Sequence, residues 1–314
     1  MSGRIGEATW IWKDGELVAW KDATVHLLST AVQFGSSVFE GIRCYATPRG
    51  PAIFRLPEHI CRLLDSASIY RMRPDYPVDA LVEACRRVVR ENDLESCYIR
   101  PMVLRGYGAA GLYAVDSPIE TWVAAWPWGA YLGAGALEEG VDVCVSSWMR
   151  AAPNTFPVAA KAAGHYNAAQ LMKAQAVADG YSEAIAVGPG GLVSEGSGQN
   201  LFLVRDGVLI TPFLDGTSLS GITRDAVLQL AADAGIPVRE QHVPRESLYL
   251  ADELFFTGTA SEVTPIRSVD RIPVGTSRGG PGGVGPITRR LQADFMAVVT
   301  GEAEDRHGWL TPVG

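Results

Sequence analysis

The chain reads as an α+β or α/β protein of two domains, and three features carry that reading. It has 314 residues, more than one hydrophobic core ordinarily serves. Strand-like apolar runs alternate with stripes of apolar residues at helical spacing, the rhythm of a mixed architecture. One uncharged stretch, Pro127–Gly135, breaks that rhythm with Pro, Gly and aromatic residues, which suits an interdomain connection lining a cleft. The expected organisation is a smaller α/β domain over 1–127, an interdomain loop over 128–140 and a larger domain over 141–314.

The elements follow in order. Trp10–Trp12 and Leu17–Trp20 flank Asp14-Gly15, a hairpin signal. Ser37–Tyr45 reads as a strand, with Ala52–Arg55 as its partner across a Pro/Gly turn. Pro57 suits a first helical turn, and Ile60, Leu63, Leu64 and Ala67 recur at helical spacing as far as Tyr70. A second helix is expected over Val78–Glu91, with Leu81, Ala84, Cys85, Val88 and Val89 on one face, then strands over Tyr98–Leu104 and Thr121–Trp126.

Beyond the connection come strand Val141–Ser146, helix Ala168–Ala178, and strands over Ala184–Val187 and Leu201–Val204. Helix Thr223–Ala234, strand Val238–His242, short helix Arg245–Leu250 and strand Glu253–Thr257 continue the series. A glycine-rich loop over Gly275–Gly285 precedes a closing helix, Thr288–Val299. No short internal repeat is present.

Composition narrows the function classes. A hydrophobic content of 47% with 20% charged residues is ordinary for a globular chain. The net charge of −8, without a run of Lys or Arg, argues against nucleic-acid or anionic-lipid partners. Met1–Glu7 lacks the apolar core of a signal peptide. No apolar run approaches the roughly 18 residues that span a bilayer. Cys44, Cys61, Cys85, Cys97 and Cys144 are scattered and form no C-x-x-C pair. Neither a disulfide framework nor a metal site follows from them; reduced thiols and a cytoplasmic location are expected.

The stretch Ala159–Asn167 sets Lys161 among small apolar residues, with Tyr166 five positions on. Water-poor surroundings destabilise an ammonium, and a neutral amine attacks carbonyls, so Lys161 is a candidate Schiff-base lysine for pyridoxal phosphate (PLP). Taken alone, a solvated lysine on an alanine-rich helix is the better reading. Gly106–Gly111 matches G-x-G-x-x-G, but no helical stripe follows and Pro118 intervenes, so it reads as a loop.

Gly221-Ile222-Thr223 opens a helix whose free N–H groups suit a phosphate, with simple capping by Thr223 as the alternative. Gly258-Thr259 ends a strand with further amides and a hydroxyl. Arg62, within an amphipathic helix, is either a phosphate clamp or a solvated arginine. Glu195, in a Gly/Ser turn before a strand, is either the partner of a pyridine nitrogen, keeping it protonated, or a surface residue.

In combination and order these segments resemble the branched-chain amino-acid aminotransferases, within the fold-type IV group of PLP enzymes. The resemblance runs over nearly the whole chain, through Ser36–Arg43, Tyr98–Pro101, Ala151–Thr155, Ala160–Ala162, Ser194–Gly196, Asn200–Phe202, Gly221–Arg224 and Gly258–Ala260. It implies a two-domain architecture like that of D-amino-acid aminotransferase, with the larger domain anchoring PLP. It makes Lys161 the aldimine lysine, Tyr166 the partner of the cofactor's phenolic oxygen and Glu195 the partner of its pyridine nitrogen.

Arg62, the Gly221-Ile222-Thr223 turn and Gly258-Thr259 would hold the phosphate. Tyr98 and the Thr259-Ala260 turn would receive the substrate carboxylate, with Gly41 and Arg43 beside them. Arg100 matches the position linked to the distal carboxylate of glutamate, and Phe39, Trp128 and Tyr131 would wall a pocket for branched side chains.

The implied reaction is ping-pong amino transfer between L-leucine, L-isoleucine or L-valine and 2-oxoglutarate. A mobile or water-mediated contact to Arg100 would let one pocket serve both substrates. A homodimer, or a larger assembly of dimers, is implied as well. Within the fold the competing activities are a D-amino-acid or amine aminotransferase and an aminodeoxychorismate lyase; outside it, a PLP-binding protein without turnover. Phe34 stands where relatives often carry tyrosine, and His165 replaces a common asparagine or glycine.

Overall fold

The computed structural model describes residues 6–129, 132, 135–280 and 282–314. They divide into two compact units: Met1–Gly129, Ala160–Gly164 and Ala297–Gly314 form the first, Ala130–Ala159 and His165–Met296 the second. The sequence reading places one connection at 128–140; in the structure two later segments also group with the first unit. The reason is pairing. Leu310–Pro312 is a strand that adds to Ala52–Phe54, and Ala162 forms an antiparallel bridge with Val38.

The first unit opens with the hairpin β1 (Trp10–Lys13) and β2 (Glu16–Ala19). Its turn places Asp14 at φ 44° and Gly15 at φ 98°, which the Asp-Gly pair accommodates. A short helix, α1 (Thr30–Phe34), precedes β3 (Ser37–Phe39), β4 (Ile42–Tyr45) and β5 (Ala52–Phe54). Helices α2 (Leu56–Ile69) and α3 (Val78–Glu91) follow, then the long strands β6 (Cys97–Arg105) and β7 (Ile119–Pro127). The sheet order is the C-terminal strand, β5, β4, β6, β7, β1, β2, with β3 also on β6.

The expected single strand over Ser37–Tyr45 is broken at Glu40-Gly41. The break lies opposite Pro101, which accepts a hydrogen bond from the Glu40 N–H (2.9 Å) but has no N–H to return. Alternation then sorts the side chains. Val38, Ile42, Ile99, Val103, Val123 and Ala125 face one side, where Ile60 and Leu63 of α2 and Leu81, Cys85 and Val88 of α3 complete the core. Phe39, Gly41, Arg43, Tyr98 and Arg100 point to the other side.

The second unit begins with α4 (Ala136–Glu139) and β8 (Val141–Val145). Helix α5 (Tyr166–Ala178) crosses over to β9 (Glu183–Val187), which lies parallel to β8. Met172 and Ala176 of α5 pack on Cys144, Ala184 and Ala186. Strands β10 (Val193–Gly196), β11 (Asn200–Arg205) and β12 (Val208–Pro212) follow. Helix α6 (Ile222–Asp233) is the crossover to β13 (Val238–Gln241), parallel to β12.

Then come α7 (Ser247–Leu250), the antiparallel pair β14 (Glu253–Gly258) and β15 (Glu262–Val269), and α8 (Pro286–Val299). The sheet order is β10, β9, β8, β15, β14, β11, β12, β13. The Glu253 carboxylate receives the Ile287 and Thr288 N–H groups (3.1 and 2.7 Å), an N-terminal cap supplied from β14. Residues 106–118 carry no helix, in keeping with the loop reading of their glycine pattern. Glu195 lies on β10, not in a turn; a register irregularity between Val193 and Glu195 separates the paired residues there.

Candidate active site

In the first unit Lys161 is held by its backbone. Its N–H donates to Ser66 Oγ on α2 (3.0 Å), and its carbonyl accepts from the Phe39 N–H (3.0 Å). Ala160 and Ala162 on either side are buried. Lys161 and Ala162 thus lie outside any helix, tied to β3 by the bridge at Ala162, and a short 3₁₀ turn over Ala163–His165 follows directly. Lys161 Nζ lies 5.2 Å from the centroid of the Phe39 ring.

The same sheet face carries an aromatic box. The Arg100 guanidinium lies 4.6 Å from the Phe39 ring, 5.3 Å from Tyr98 and 5.9 Å from Trp126. Tyr98 and Arg100 are two apart on β6, hence on one face, and Trp126 is the cross-strand partner of Tyr98. Ala124, opposite Arg100, leaves room for the guanidinium. Trp128 extends the wall, its ring 4.8 Å from Tyr98. Arg100 Nε is buried and has no hydrogen-bond partner among the described residues. A cation held by ring faces keeps its charge without a counter-ion.

Gly41 is required here, because a Cβ at that position would collide with the Tyr98 hydroxyl. Arg43 faces Tyr98 across the β4–β6 pair and lies over Tyr45. Tyr131, expected as a further wall residue, lies outside the described residues.

Beneath this face, Arg62 grips Glu40. Its Nε donates to Glu40 Oε1 (2.6 Å) and its Nη2 to Oε2 (2.9 Å). His59 Nδ1 meets the same Oε2 at 2.7 Å. Burial alone would raise the Glu40 pKa, but the Arg62 charge and the hydrogen bonds from Arg62 and His59 outweigh it and hold the carboxyl well below the usual range. Burial pushes the His59 pKa down against the pull of Glu40, and the short contact to a carboxylate oxygen assigns a ring proton to Nδ1.

In the second unit Glu195 is fixed at both oxygens. Arg150 Nη2 lies 2.9 Å from Oε1, while Asn200 Nδ2 (3.2 Å) and the Leu219 N–H (3.3 Å) donate to Oε2. Arg150 also donates to the Gly196 and Ser197 carbonyls (2.6 and 3.0 Å). Asn200 in turn donates to the Leu219 carbonyl at 2.9 Å. A Cβ on Gly221 would overlap the Asn200 side chain, so glycine at 221 and the grip on Glu195 go together.

Gly221 is the N-cap of α6, with no side-chain cap; the alternative of capping by Thr223 does not describe this helix. The first-turn N–H groups of Ile222 and Thr223 are thus left for an anion by helix geometry. Gly258 ends β14, and nearby the buried hydroxyls of Thr257 and Ser261 lack a hydrogen-bond partner among the described residues.

Tyr166 opens α5 directly after His165. The His165 ring meets Phe156 edge-on at 5.2 Å, and burial and the Arg150 charge push its pKa down.

Of the expected residues, Phe39, Gly41, Arg43, Arg62, Tyr98, Arg100, Trp128 and Lys161 belong to the first unit, and Tyr166, Glu195, Gly221, Ile222, Thr223, Gly258, Thr259 and Ala260 to the second. Sequence reasoning misses Trp126, Arg150, Glu40 and His59. Trp126 was within reach, since it sits two residues from Trp128 in a strand already expected; the other three pair with residues remote in sequence.

Comparison with known proteins defines the class first. A family model described as amino-transferase class IV matches residues 37–269. The branched-chain-amino-acid aminotransferase of Salmonella typhimurium (strain LT2) is 53% identical over 312 residues, 98% of each chain. The crystal structure of the Escherichia coli branched-chain amino acid aminotransferase superposes with a TM-score of 0.93 at 52% identity, covering 98% of this chain and all of that one. The branched-chain amino acid aminotransferase from Thermobaculum terrenum, solved in its PLP-form, gives a TM-score of 0.88 at 36% identity with 98% and 99% coverage. The chain belongs to the branched-chain-amino-acid aminotransferases of that class.

Proposed function

We propose that this aminotransferase uses PLP to move an amino group reversibly between L-leucine, L-isoleucine or L-valine and 2-oxoglutarate, yielding branched 2-oxo acids and L-glutamate. The carrying observation is the sheet face on which Lys161, Phe39, Tyr98, Arg100 and Trp126 converge. The residues present suit the cofactor's three recognition points. Lys161 offers an amine, Glu195 a carboxylate held by Arg150 and Asn200, and α6 a helix N-terminus without a side-chain cap. When bound, PLP supplies an electron sink for charge developing at the substrate Cα.

The protein's own part is placement and proton transfer. Lys161 Nζ would take up the proton that leaves Cα of the donor amino acid, and in the opposite half-reaction would supply a proton to Cα of the product amino acid. Glu195 would accept an N–H from the pyridine ring, and Tyr166 would donate to the phenolic oxygen. Arg62, the Ile222 and Thr223 amides and the Gly258-Thr259 turn are the groups that would hold the phosphate. Tyr98, with Gly41 and Arg43 beside it, and the Thr259-Ala260 turn are the groups that would receive the substrate α-carboxylate. Phe39 and Trp128 would wall the side-chain pocket.

The aromatic box addresses how one pocket serves an aliphatic and a carboxylate side chain. Ring faces attend the Arg100 charge while an aliphatic substrate is bound, and a distal carboxylate adds charge-assisted hydrogen bonds when glutamate enters. In this account the guanidinium need not withdraw between half-reactions.

A homodimer, or an assembly of dimers, is the inferred oligomeric state. Supporting it, the first unit exposes Leu27 (74%), Leu28 (52%), Val32 (53%), Phe34 (49%), Leu112 (89%) and Tyr113 (79%), more large apolar side chains than a monomer ordinarily leaves in water. No helix among the described residues is long and apolar enough to cross a membrane, and the five cysteines are free thiols, which supports a cytoplasmic location.

The direct test measures glutamate formed from 2-oxoglutarate with L-leucine and, separately, with D-leucine. L-leucine should be the donor, and a preference for D-leucine would overturn the assignment.

A further inference from the structure

We propose that Glu40 and His59 are positioning residues for the phosphate end of the cofactor, acting through Arg62. The proposal rests on the reading of Arg62 as a phosphate ligand. Its basis is the way the guanidinium is already engaged: Nε and Nη2, one edge of the planar fork, are taken by the two Glu40 oxygens at 2.6 and 2.9 Å. A guanidinium fixed along one edge presents its other edge in a defined plane. Glu40 therefore sets the plane and direction of the Arg62 guanidinium.

The arrangement is buried and local. Glu40 is wholly shielded from solvent and sits where β3 and β4 are interrupted opposite Pro101, so its place is dictated by the sheet. His59 precedes Arg62 by one turn of α2 and holds Glu40 Oε2 at 2.7 Å. It is itself buried, and its Nε2 has no hydrogen-bond partner among the described residues. The Nδ1 contact thus fixes the carboxylate that fixes the arginine. A wholly buried carboxylate is costly unless paired, and a solvent-exposed arginine would give the chain the same charge without that cost. What the burial provides is a guanidinium ordered before a phosphate arrives.

The test compares two probes on the full chain, pyridoxal phosphate and pyridoxal, by titrating the cofactor-stripped protein and following absorbance and tryptophan fluorescence. Pyridoxal lacks the phosphate but retains the groups that meet Lys161 and Glu195. Glu40→Gln places an amide N–H against the Arg62 donors and should weaken pyridoxal phosphate by about 10- to 100-fold while changing pyridoxal less than about twofold. His59→Leu should act in the same selective direction. His59→Asn, whose amide nitrogen replaces Nδ1, should restore most of the loss. Where Glu40→Gln fails to fold, Glu40→Asp, which keeps the charge but shortens the fork's partner, reads the same selectivity.

Equal weakening of both probes would mean a merely structural role and would overturn the proposal. Arg62→Ala separates the two layers. If it leaves pyridoxal phosphate affinity intact, the phosphate reading of Arg62 falls. If it weakens pyridoxal phosphate selectively while the Glu40 and His59 variants do not, the positioning role alone falls.

Discussion

Replacing Arg100 by methionine keeps an unbranched stem inside the box of Phe39, Tyr98 and Trp126 but removes the guanidinium and its charge. A carboxylate substrate then loses charge-assisted hydrogen bonds, each worth about 1.5–3 kcal/mol. Losing the net benefit of one or two corresponds to a fall of about 10²- to 10³-fold in kcat/KM for 2-oxoglutarate and glutamate. An aliphatic substrate makes no such bond, and the variant also removes a buried Nε that has no partner among the described residues; kcat/KM for leucine should change by no more than about threefold. Trp126→Leu is the mirror experiment. It keeps the charge and removes one ring face, worth about 0.5–2 kcal/mol, so leucine should suffer more than glutamate. Steady-state kinetics of both half-reactions decide the matter. Equal losses for leucine and glutamate in Arg100→Met would refute the proposed division of labour.

Gly41→Ala should displace the Tyr98 ring, because the added methyl would collide with its hydroxyl. A loss of about 1–3 kcal/mol in stability, seen in urea unfolding, should accompany a larger KM for both substrates; unchanged kinetics would remove Tyr98 from the substrate site. Acid should destabilise the protein in two stages. His59 has its pKa lowered from 6.5 in the fold, so its contribution is present above 6.5 and is lost as pH falls toward the folded value. Glu40, lowered from 4.5, contributes above 4.5 and loses that contribution further into acid. Urea midpoints followed against pH should therefore decline below about 6.5, and His59→Asn should flatten the first stage. A midpoint that rises with acid would contradict both assignments.

Much of the fold is legible in the sequence because its periodicities are strong. Helix Val78–Glu91 spans the expected residues, since one face is apolar throughout and the other charged. Breaks and edges are less legible. The interruption at Glu40-Gly41 depends on Pro101, sixty positions away in sequence and adjacent only through register. Glu195 reads as a turn residue because Gly and Ser surround it, yet pairing with β9 draws it into a strand. Short strands such as Val208–Pro212 and Leu310–Pro312 carry too few residues to show alternation.

The candidate site divides in the same way. Residues proposed to offer a group to a ligand (Lys161, Glu195, Arg62, Arg100) stand out by chemical type in motif context. Residues that hold those groups do not. Arg150 and Asn200 at Glu195, and Glu40 and His59 at Arg62, are ordinary polar residues until the fold brings them within 3.2 Å of their partners. Lys161 shows the limit most plainly. Its alanine neighbours suggest a helix, whereas the bridge from Ala162 to Val38 and the hydrogen bond to Phe39 tie it to β3 ahead of the helix.

The central claim, that Lys161 carries amino transfer with PLP, is tested most directly by the absorbance spectrum of the purified protein. The visible band of the lysine-bound cofactor should disappear on adding L-leucine and return with 2-oxoglutarate, and Lys161→Ala should show neither the band nor the cycle. A spectrum unmoved by L-leucine, or a Lys161→Ala variant that still cycles, would contradict it.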